Sequence, residues 1–110
     1  MESAQLSALA TAMNRLWSQY LPELEERVAV LRSAAAALRE GALTAALREQ
    51  ATSAAHKLAG VLGTFGLSEG TDLAREAERF YSGEDRTDRV TPERLAQIPV
   101  ELLAIMAARK

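Results

Sequence analysis

The segment from Ala54 to Gly66 reads AAHKLAGVLGTFG and contains the single histidine of the chain, His56. Successive residues of an α-helix are rotated by about 100°, and at that spacing the apolar residues of this region fall on one face. Their stripe consists of Leu47, Ala51, Ala54, Leu58, Val61 and Phe65. On such a helix His56 lies about 160° from Leu58. The pattern therefore predicts a helix that presents its histidine ring to solvent.

The helix face around His56 is built from small or polar residues, namely Glu49, Thr52, Ser53, Ala59, Gly60 and Gly63. A glycine inside a helix costs about 1 kcal/mol relative to alanine. Two glycines beyond an exposed ring therefore indicate that another molecule approaches the ring closely. Two plainer interpretations remain open: an ordinary surface histidine, and glycines that serve only close helix packing. A buried histidine is disfavoured, because the periodicity places it opposite the apolar stripe.

The composition predicts one helical domain. The chain has 110 residues, of which 48% are hydrophobic and 5% are aromatic, and this size suits a single core. Its net charge is −2 without a basic block, so the electrostatic pattern of nucleic-acid binding is missing. No apolar run approaches about twenty residues, which argues against a membrane span or a secretory signal. We expect a cytoplasmic protein.

Several kinds of chemical site are excluded by residue content. The chain has no cysteine and one histidine, so disulfides and thiolate metal sites are ruled out and a zinc site is improbable. We predict no metal site in this chain. No glycine-rich phosphate loop ending in Gly-Lys-Ser or Gly-Lys-Thr occurs. The sequence therefore offers no means of binding ATP.

Five amphipathic segments can be traced by helical spacing. The first has its stripe at Leu6, Leu9, Met13, Leu16 and Tyr20. The second starts near Pro22, which suits a first helical turn, and ends at Gly41. Its stripe is Leu21, Leu24, Val28, Leu31, Ala35 and Leu38. The third runs from about 43 to 65 and contains His56, and Gly66 closes it.

The two remaining segments complete the chain. Ser68 is predicted to cap the fourth, whose stripe is Leu73, Ala77 and Phe80 with Tyr81 alongside. The polar stretch 82–89 predicts a surface loop. Thr91-Pro92-Glu93 predicts the start of the last helix, with its stripe at Leu95, Ile98, Leu102 and Ile105. Pro99 falls inside that helix and is expected to kink or split it.

The predicted fold is all-α. Each segment is apolar on one side only and must bury that side, and short connections favour antiparallel neighbours. We predict a single domain over 1–110: an antiparallel up-and-down four-helix bundle over 20–110, with an additional N-terminal helix over 1–19 covering one end or side. Coiled-coil dimerisation is the alternative for such stripes, but the frequent breaks disfavour it, and we expect a monomer.

The run from Ala55 to Gly60, with Gly63, Phe65-Gly66-Leu67 and Leu73-Ala74-Arg75-Glu76-Ala77-Glu78, resembles the histidine-containing phosphotransfer (Hpt) domains of bacterial phosphorelays. The local likeness covers about residues 50 to 80, and the predicted bundle extends it from about Tyr20 to the C-terminus. The resemblance implies that His56 accepts a phosphoryl group from a receiver-domain aspartate and passes it to another receiver. It also implies that the chain is a carrier rather than an ATP-dependent kinase.

The resemblance further implies partners and helper residues. Response-regulator receiver domains and a hybrid histidine kinase are the expected partners, and the receiver is expected to supply Mg²⁺, since this chain needs no cofactor of its own. The receiver would dock over Thr52, Ser53, Ala59, Gly60 and Gly63. Many family members carry a basic residue three positions after the histidine, where this chain has Ala59. Lys57, Arg75 or Arg79 would then neutralise the phosphoryl oxygens.

Two other functions compete with the carrier. A histidine-kinase dimerisation domain also displays a histidine on a helical bundle, but there an acidic residue usually follows the histidine, whereas Lys57 follows here. A non-catalytic helical adaptor, in which His56 is incidental, is the other alternative. Phosphoryl transfer from a charged receiver would separate the carrier from the adaptor.

Overall fold

The computed structural model describes residues 2–84 and 90–109, and all of its regular structure there is helical. The four helices are α1 (Glu2–Arg39), α2 (Ala45–Thr64), α3 (Ser68–Ser82) and α4 (Pro92–Ala108). Consecutive helices pack side by side, and α1 also packs against α4, so the four form a closed ring. This is the predicted antiparallel four-helix bundle, and the all-α prediction is confirmed.

Local signals explain most of the helix ends. The Thr44 hydroxyl accepts a hydrogen bond from Leu47 N at 3.1 Å, and the Thr91 hydroxyl accepts one from Arg94 N at 3.1 Å. These are N-caps, which satisfy amide groups that a helix cannot bond internally. Pro92 occupies the first turn of α4, as predicted.

The turn between α2 and α3 depends on Gly66. Its φ of +75° is left-handed, a conformation that glycine adopts without a steric penalty. Gly66 N donates to Gly63 O at 3.0 Å, and Leu67 N donates to Leu62 O at 2.9 Å. These two bonds form a Schellman motif, which satisfies the last carbonyls of α2. The prediction that Gly66 closes this helix is confirmed.

The N-terminal helix is different from the prediction. The segment expected as a separate helix over 1–19 is, over its described part, the first half of α1, and α1 continues through Pro22. Proline costs a helix interior about 3 kcal/mol, but Trp17 and Leu24 on either side of it are both buried in the bundle. Packing on both sides therefore holds the helix together. The exposed Ser18 carbonyl, which loses its partner, can bond to water.

The first part of α1 does not cover the bundle either. Every residue from 3 to 12 is exposed, and α1 extends past the end of the bundle. The molecule accordingly measures 57 Å along its longest axis and 23 Å and 19 Å across. Trp17 marks the place where α1 joins the bundle: its ring meets the Phe65 ring edge-on at 5.1 Å, and the Arg109 guanidinium lies 5.0 Å from its centre.

One further local prediction was wrong, and another is narrowed. Ser68 does not cap α3: it is the first helical residue, Leu67 holds the cap position, and no side chain caps this end. The tight Gly66 turn leaves Leu67 as the only residue between its glycine and the helix. Pro99 does not split α4, which is continuous from Pro92 to Ala108 with Pro99 buried inside it. The polar loop predicted over 82–89 lies outside the described residues from 85 onward.

The core is aliphatic, with α3 contributing mainly small residues. Its fully buried large side chains include Leu24, Leu31, Leu58, Leu62, Leu95, Ile98 and Leu102. From α3 the buried residues are Gly70, Ala74, Ala77 and Tyr81, whereas the predicted Leu73 and Phe80 are only partly buried. A bidentate ion pair fastens α4 to α3: Arg94 Nε lies 2.7 Å from Glu76 Oε2, and Nη2 lies 2.9 Å from Oε1.

Candidate functional site

Small residues bring α2 and α3 close together beneath the candidate site. Ala55 and Ala59 of α2 are buried, as are Gly70 and Ala74 of α3. A β-carbon on Gly70 would lie 3.0 Å from Leu62 Cδ1, which is closer than carbon atoms normally pack. Short side chains on both helices therefore set a small separation between the two axes. At this separation, a side chain of α2 and a side chain of α3 can contact each other along the outer edge of the helix pair.

His56 lies on that outer edge. Its side chain is 75% exposed, so the prediction of an outward-facing ring is confirmed. The ring Nδ1 lies 2.8 Å from Oε2 of Glu78, which α3 places directly across from it. An ionised carboxylate can only accept a hydrogen bond. Nδ1 therefore carries the ring proton and donates a hydrogen bond to Glu78. In this tautomer Nε2 keeps a free lone pair, which is the property of a nucleophile.

Glu78 was given no role by the sequence reasoning, although it stands in the motif. His56 and Glu78 lie equally far on either side of Leu67 in the sequence, and a short turn at Leu67 places such residues opposite each other. The same register brings Gly63 against Thr71, whose Oγ1 would lie 3.3 Å from a β-carbon on the glycine. Pairing the residues about the Gly66 turn would have identified Glu78 from the sequence.

The expected docking residues do not all lie on the surface. Ser53, Gly60 and Gly63 are exposed, and Thr52 is half-buried. Ala59 is buried, and its carbonyl accepts a hydrogen bond from the Thr71 hydroxyl at 3.0 Å. Its placement on a docking face was wrong, because α2 packs against α1 on one side and α3 on the other. The buried part of α2 is therefore wider than a single stripe predicts.

The three basic candidates occupy different positions around His56. Lys57 is exposed and borders the groove between α1 and α2, alongside Arg27 and Ala54. Arg75 and Arg79 are exposed on α3, and Arg75 lies one turn before Glu78. By the register about Leu67, Arg75 stands across from Ala59, the position where the resemblance places a basic residue.

A shallow groove runs from His56 toward the C-terminal end of α3. Arg48, Thr52, Glu78 and Tyr81 line it together with the histidine. Arg48 Nη1 donates to the Tyr81 carbonyl at 3.4 Å. Burial raises the pKa of the Tyr81 hydroxyl to about 12 although the Arg48 charge opposes the rise, and no described group hydrogen-bonds to that hydroxyl. The sequence reasoning assigned no role to Arg48.

Comparison with known proteins gives the family of this chain. The Hpt domain family matches residues 15–108, which include His56, Glu78 and all four helices in whole or in part. The chain belongs to the Hpt domain family. Hpt domains are generally phosphotransfer carriers rather than kinases, and they interact with receiver domains and kinases in phosphorelay signalling. The match begins at residue 15 and so leaves most of the projecting part of α1 outside it.

A curated relative of this Hpt domain is Protein RcaC of Microchaete diplosiphon, which is 34% identical over 74 residues. The alignment covers 67% of this chain, and it spans 11% of the length of that relative. No solved structure gives a significant match.

Two kinds of feature are absent from the part of the Hpt domain that the structure describes. No cluster of three or more histidine, aspartate or glutamate side chains is placed to hold a metal ion. Within 2–84 and 90–109, none of the helices combines the length and apolar character needed to cross a lipid bilayer.

Proposed function

We propose that His56 accepts a phosphoryl group from the aspartyl phosphate of one receiver domain and passes it to the aspartate of another. The observation that carries this proposal is the 2.8 Å hydrogen bond between His56 Nδ1 and Glu78 on a side chain that is 75% exposed. The bond fixes the tautomer and orients the ring, while exposure leaves Nε2 open to a partner.

The transfer balances without an external base. The Nε2 lone pair forms a bond to phosphorus, the bond between phosphorus and the aspartyl oxygen breaks, and the electron pair leaves with the carboxylate. Nδ1 keeps its proton, so the phosphorylated ring is positively charged. Glu78 then holds a negative charge 2.8 Å from Nδ1 and stabilises that ring. Transfer to the second receiver reverses the same steps.

The partner would complete the site. Phosphoryl transfer mainly requires positioning and stabilisation of charge, and we propose that the receiver supplies both the aspartate and Mg²⁺. This chain contributes a reachable ring and a surface of small residues beside it. Ser53, Gly60 and Gly63 are exposed there, and a β-carbon on Gly60 would touch nothing within 4 Å. A receiver backbone could therefore approach along this side of α2.

Arg75 is our choice for the residue that neutralises the phosphoryl oxygens. It stands on α3 across from Ala59, so it can replace the basic side chain that α2 lacks at that position. Arg79 is exposed next to Glu78 and is the second choice. Lys57 is less suitable, because it borders the groove between α1 and α2, on the opposite side from Glu78. We further propose a cytoplasmic setting, with a hybrid histidine kinase as the original phosphoryl donor.

The test is phosphoryl transfer from isolated receiver domains of the same genome, first charged with a small acyl phosphate and Mg²⁺. We expect the chain to acquire phosphate that is labile in acid and stable in base. His56→Gln should accept none while its helical circular dichroism and melting temperature stay unchanged. Acid-labile phosphate on this variant would refute the assignment of His56. Stoichiometric binding of a receiver without any transfer would instead identify the chain as an adaptor.

A further inference from the structure

The first half of α1 carries a row of large apolar side chains, most of them exposed. Leu6 is 66% exposed, Leu9 is 60%, Leu16 is 43% and Tyr20 is 40%. Scattered exposed leucines are normal on a protein surface, but a contiguous row indicates an interaction surface. Leu6 and Leu9 also precede residue 15, where the family match begins. Because His56 lies on the outer edge of the α2–α3 pair, this row on α1 is separate from the surface around it.

The spacing of the row specifies the shape of what covers it. Leu6, Leu9, Met13, Leu16 and Tyr20 alternate steps of three and four residues, which is the a and d pattern of a heptad repeat. An average of 3.5 residues per step keeps an apolar seam facing one neighbouring helix along its whole length. The expected occupant is thus a second α-helix lying alongside α1.

The charges of this region permit a second copy of the chain as the occupant. Arg15 is the only charged residue between Ser3 and Leu21, and in the heptad it falls at a c position, away from the seam. The flanking e and g positions hold Gln5, Ala10, Ala12, Trp17 and Gln19, none of them charged. Of these, Trp17 is buried against the bundle of its own chain. Charged e and g residues select unlike partners and repel like ones. Neutral flanks do neither, and so they permit an identical helix.

The seam is also complementary to itself when reversed. In an antiparallel pair an a residue of one helix faces a d residue of the other, as occurs here when Leu6 meets Leu16 of the second copy and Leu9 meets its Met13. Both pairs share one register about Thr11, so four apolar layers form around a two-fold axis. The two bundles then stand at opposite ends of the pair.

We infer that the chain forms an antiparallel homodimer through residues 3–20 of α1. Dimerisation covers Leu6 and Leu9 of each copy and replaces the monomer expected from the sequence. His56 stays accessible in the dimer, because it lies on the α2–α3 edge rather than on α1. The dimer and the proposed phosphoryl transfer are independent, and each can fail without the other.

The first experiment measures mass by sedimentation equilibrium between about 1 μM and 1 mM, a range that suits a short apolar interface. The mass of the wild-type chain should rise with concentration toward that of a dimer. Leu9→Glu should stay monomeric with an unchanged melting temperature of the bundle. Val100→Glu is the matched control, because Val100 is 64% exposed on α4, and it should dimerise like the wild type. A wild-type monomer at every concentration, or a dimer of Leu9→Glu, would overturn the inference.

The second experiment tests the orientation, and it uses the fact that the chain has no cysteine. Ala12 falls at a g position close to the two-fold axis, so Ala12→Cys should form an intermolecular disulfide under mild oxidation. Two Leu6→Cys residues would be about 15 Å apart in the antiparallel pair and should not cross-link. Efficient cross-linking through Leu6→Cys would show a parallel pair and contradict the proposed arrangement.

Discussion

At the scale of single residues, the candidate site consists of His56 and Glu78. The sequence predicts the position of the histidine but not its contact with the glutamate. The outward position of His56 follows from helical periodicity, because it depends only on residues within the same helix. The contact with Glu78 depends on how two helices are aligned, and no periodicity within α2 contains that information. Separating the charge of Glu78 from its hydrogen bond is therefore the informative experiment on this pair.

We predict that Glu78→Gln slows phosphoryl transfer about 10-fold, and that Glu78→Ala slows it more. Glutamine can still accept a hydrogen bond from Nδ1–H but lacks the negative charge. A hydrogen bond to a charged group is worth about 1.5–3 kcal/mol. Single-turnover transfer from a charged receiver measures both effects. Glu25→Gln, an exposed carboxylate on α1, should behave like the wild type. Equal rates for all three variants would remove Glu78 from the mechanism.

Tyr81 is the second residue with a measurable consequence. Its hydroxyl is buried without a hydrogen-bond partner among the described residues, and its pKa is raised to about 12 by burial. The folded state therefore favours the neutral hydroxyl more than the unfolded state does. The stabilisation is complete below the unfolded pKa of about 10 and is lost as the pH rises toward 12.

Tyr81→Phe should consequently keep or raise the melting temperature at neutral pH. It removes a buried hydroxyl that has no hydrogen-bond partner and that costs the folded state about 1 kcal/mol. Between pH 10 and 12 the wild type should lose about 2 kcal/mol more stability than the variant. Urea unfolding at several pH values measures the difference. Tyr20→Phe is the matched control, because Tyr20 is 40% exposed. A Tyr81→Phe variant with the alkaline sensitivity of the wild type would show that the hydroxyl does not titrate as expected.

At the scale of helices, the sequence predicts where they end better than how they pack. Thr91 and Pro92 at the start of α4, and Gly66 after α2, are local signals that require no tertiary contact, and these predictions are confirmed. The expected break at Pro22 was wrong, because burial of Trp17 and Leu24 outweighs the local cost of proline. Ala59 was misplaced for a similar reason: a helix that packs against two neighbouring helices buries more of its surface than a single apolar stripe.

Two glycines of the α2–α3 pair give a prediction at this scale. Gly60→Leu should slow phosphoryl transfer without lowering the melting temperature, because its side chain enters open space on the face where we propose that the receiver docks. Gly70→Ala should leave transfer nearly unchanged but lower stability by about 1 kcal/mol. Its β-carbon would lie 3.0 Å from Leu62, which is fully buried and has little room to move.

Melting curves and single-turnover transfer, measured on both variants, separate the two effects. Unimpaired transfer by Gly60→Leu would place the receiver elsewhere. Stabilisation by Gly70→Ala would mean that Leu62 shifts easily, and that the gain in helix propensity is larger than the cost of crowding.

At the scale of the whole molecule, the chain is an Hpt bundle with a helical extension. The bundle was predictable because four amphipathic segments joined by short connections have few ways to bury their stripes. The projection of α1 was not predictable in this way, since an apolar stripe shows that a surface is buried but not which molecule buries it. Residues 3–12 are exposed in the single chain, although their pattern is that of a buried face.

We predict that the purified chain acquires no phosphate from ATP alone. Hpt domains in general carry phosphoryl groups without kinase activity, and the sequence contains no glycine-rich phosphate loop. Incubation with radiolabelled ATP and Mg²⁺ tests this, with a charged receiver as the positive control. Labelling of His56 by ATP without a second protein would require a nucleotide site in this bundle.

Trp17 gives the molecule a built-in optical probe. It is the single tryptophan of the chain and is 94% shielded from solvent, held between Phe65 and the guanidinium of Arg109. Its fluorescence should therefore emit at short wavelength in the folded state and shift to the red when α1 separates from the end of the bundle. Because the indole touches α2 at Phe65, well away from His56, its emission should report the opening of this end and stay silent to the state of the histidine. Trp17 fluorescence would thus monitor the contact between α1 and the end of the bundle in real time without any chemical label.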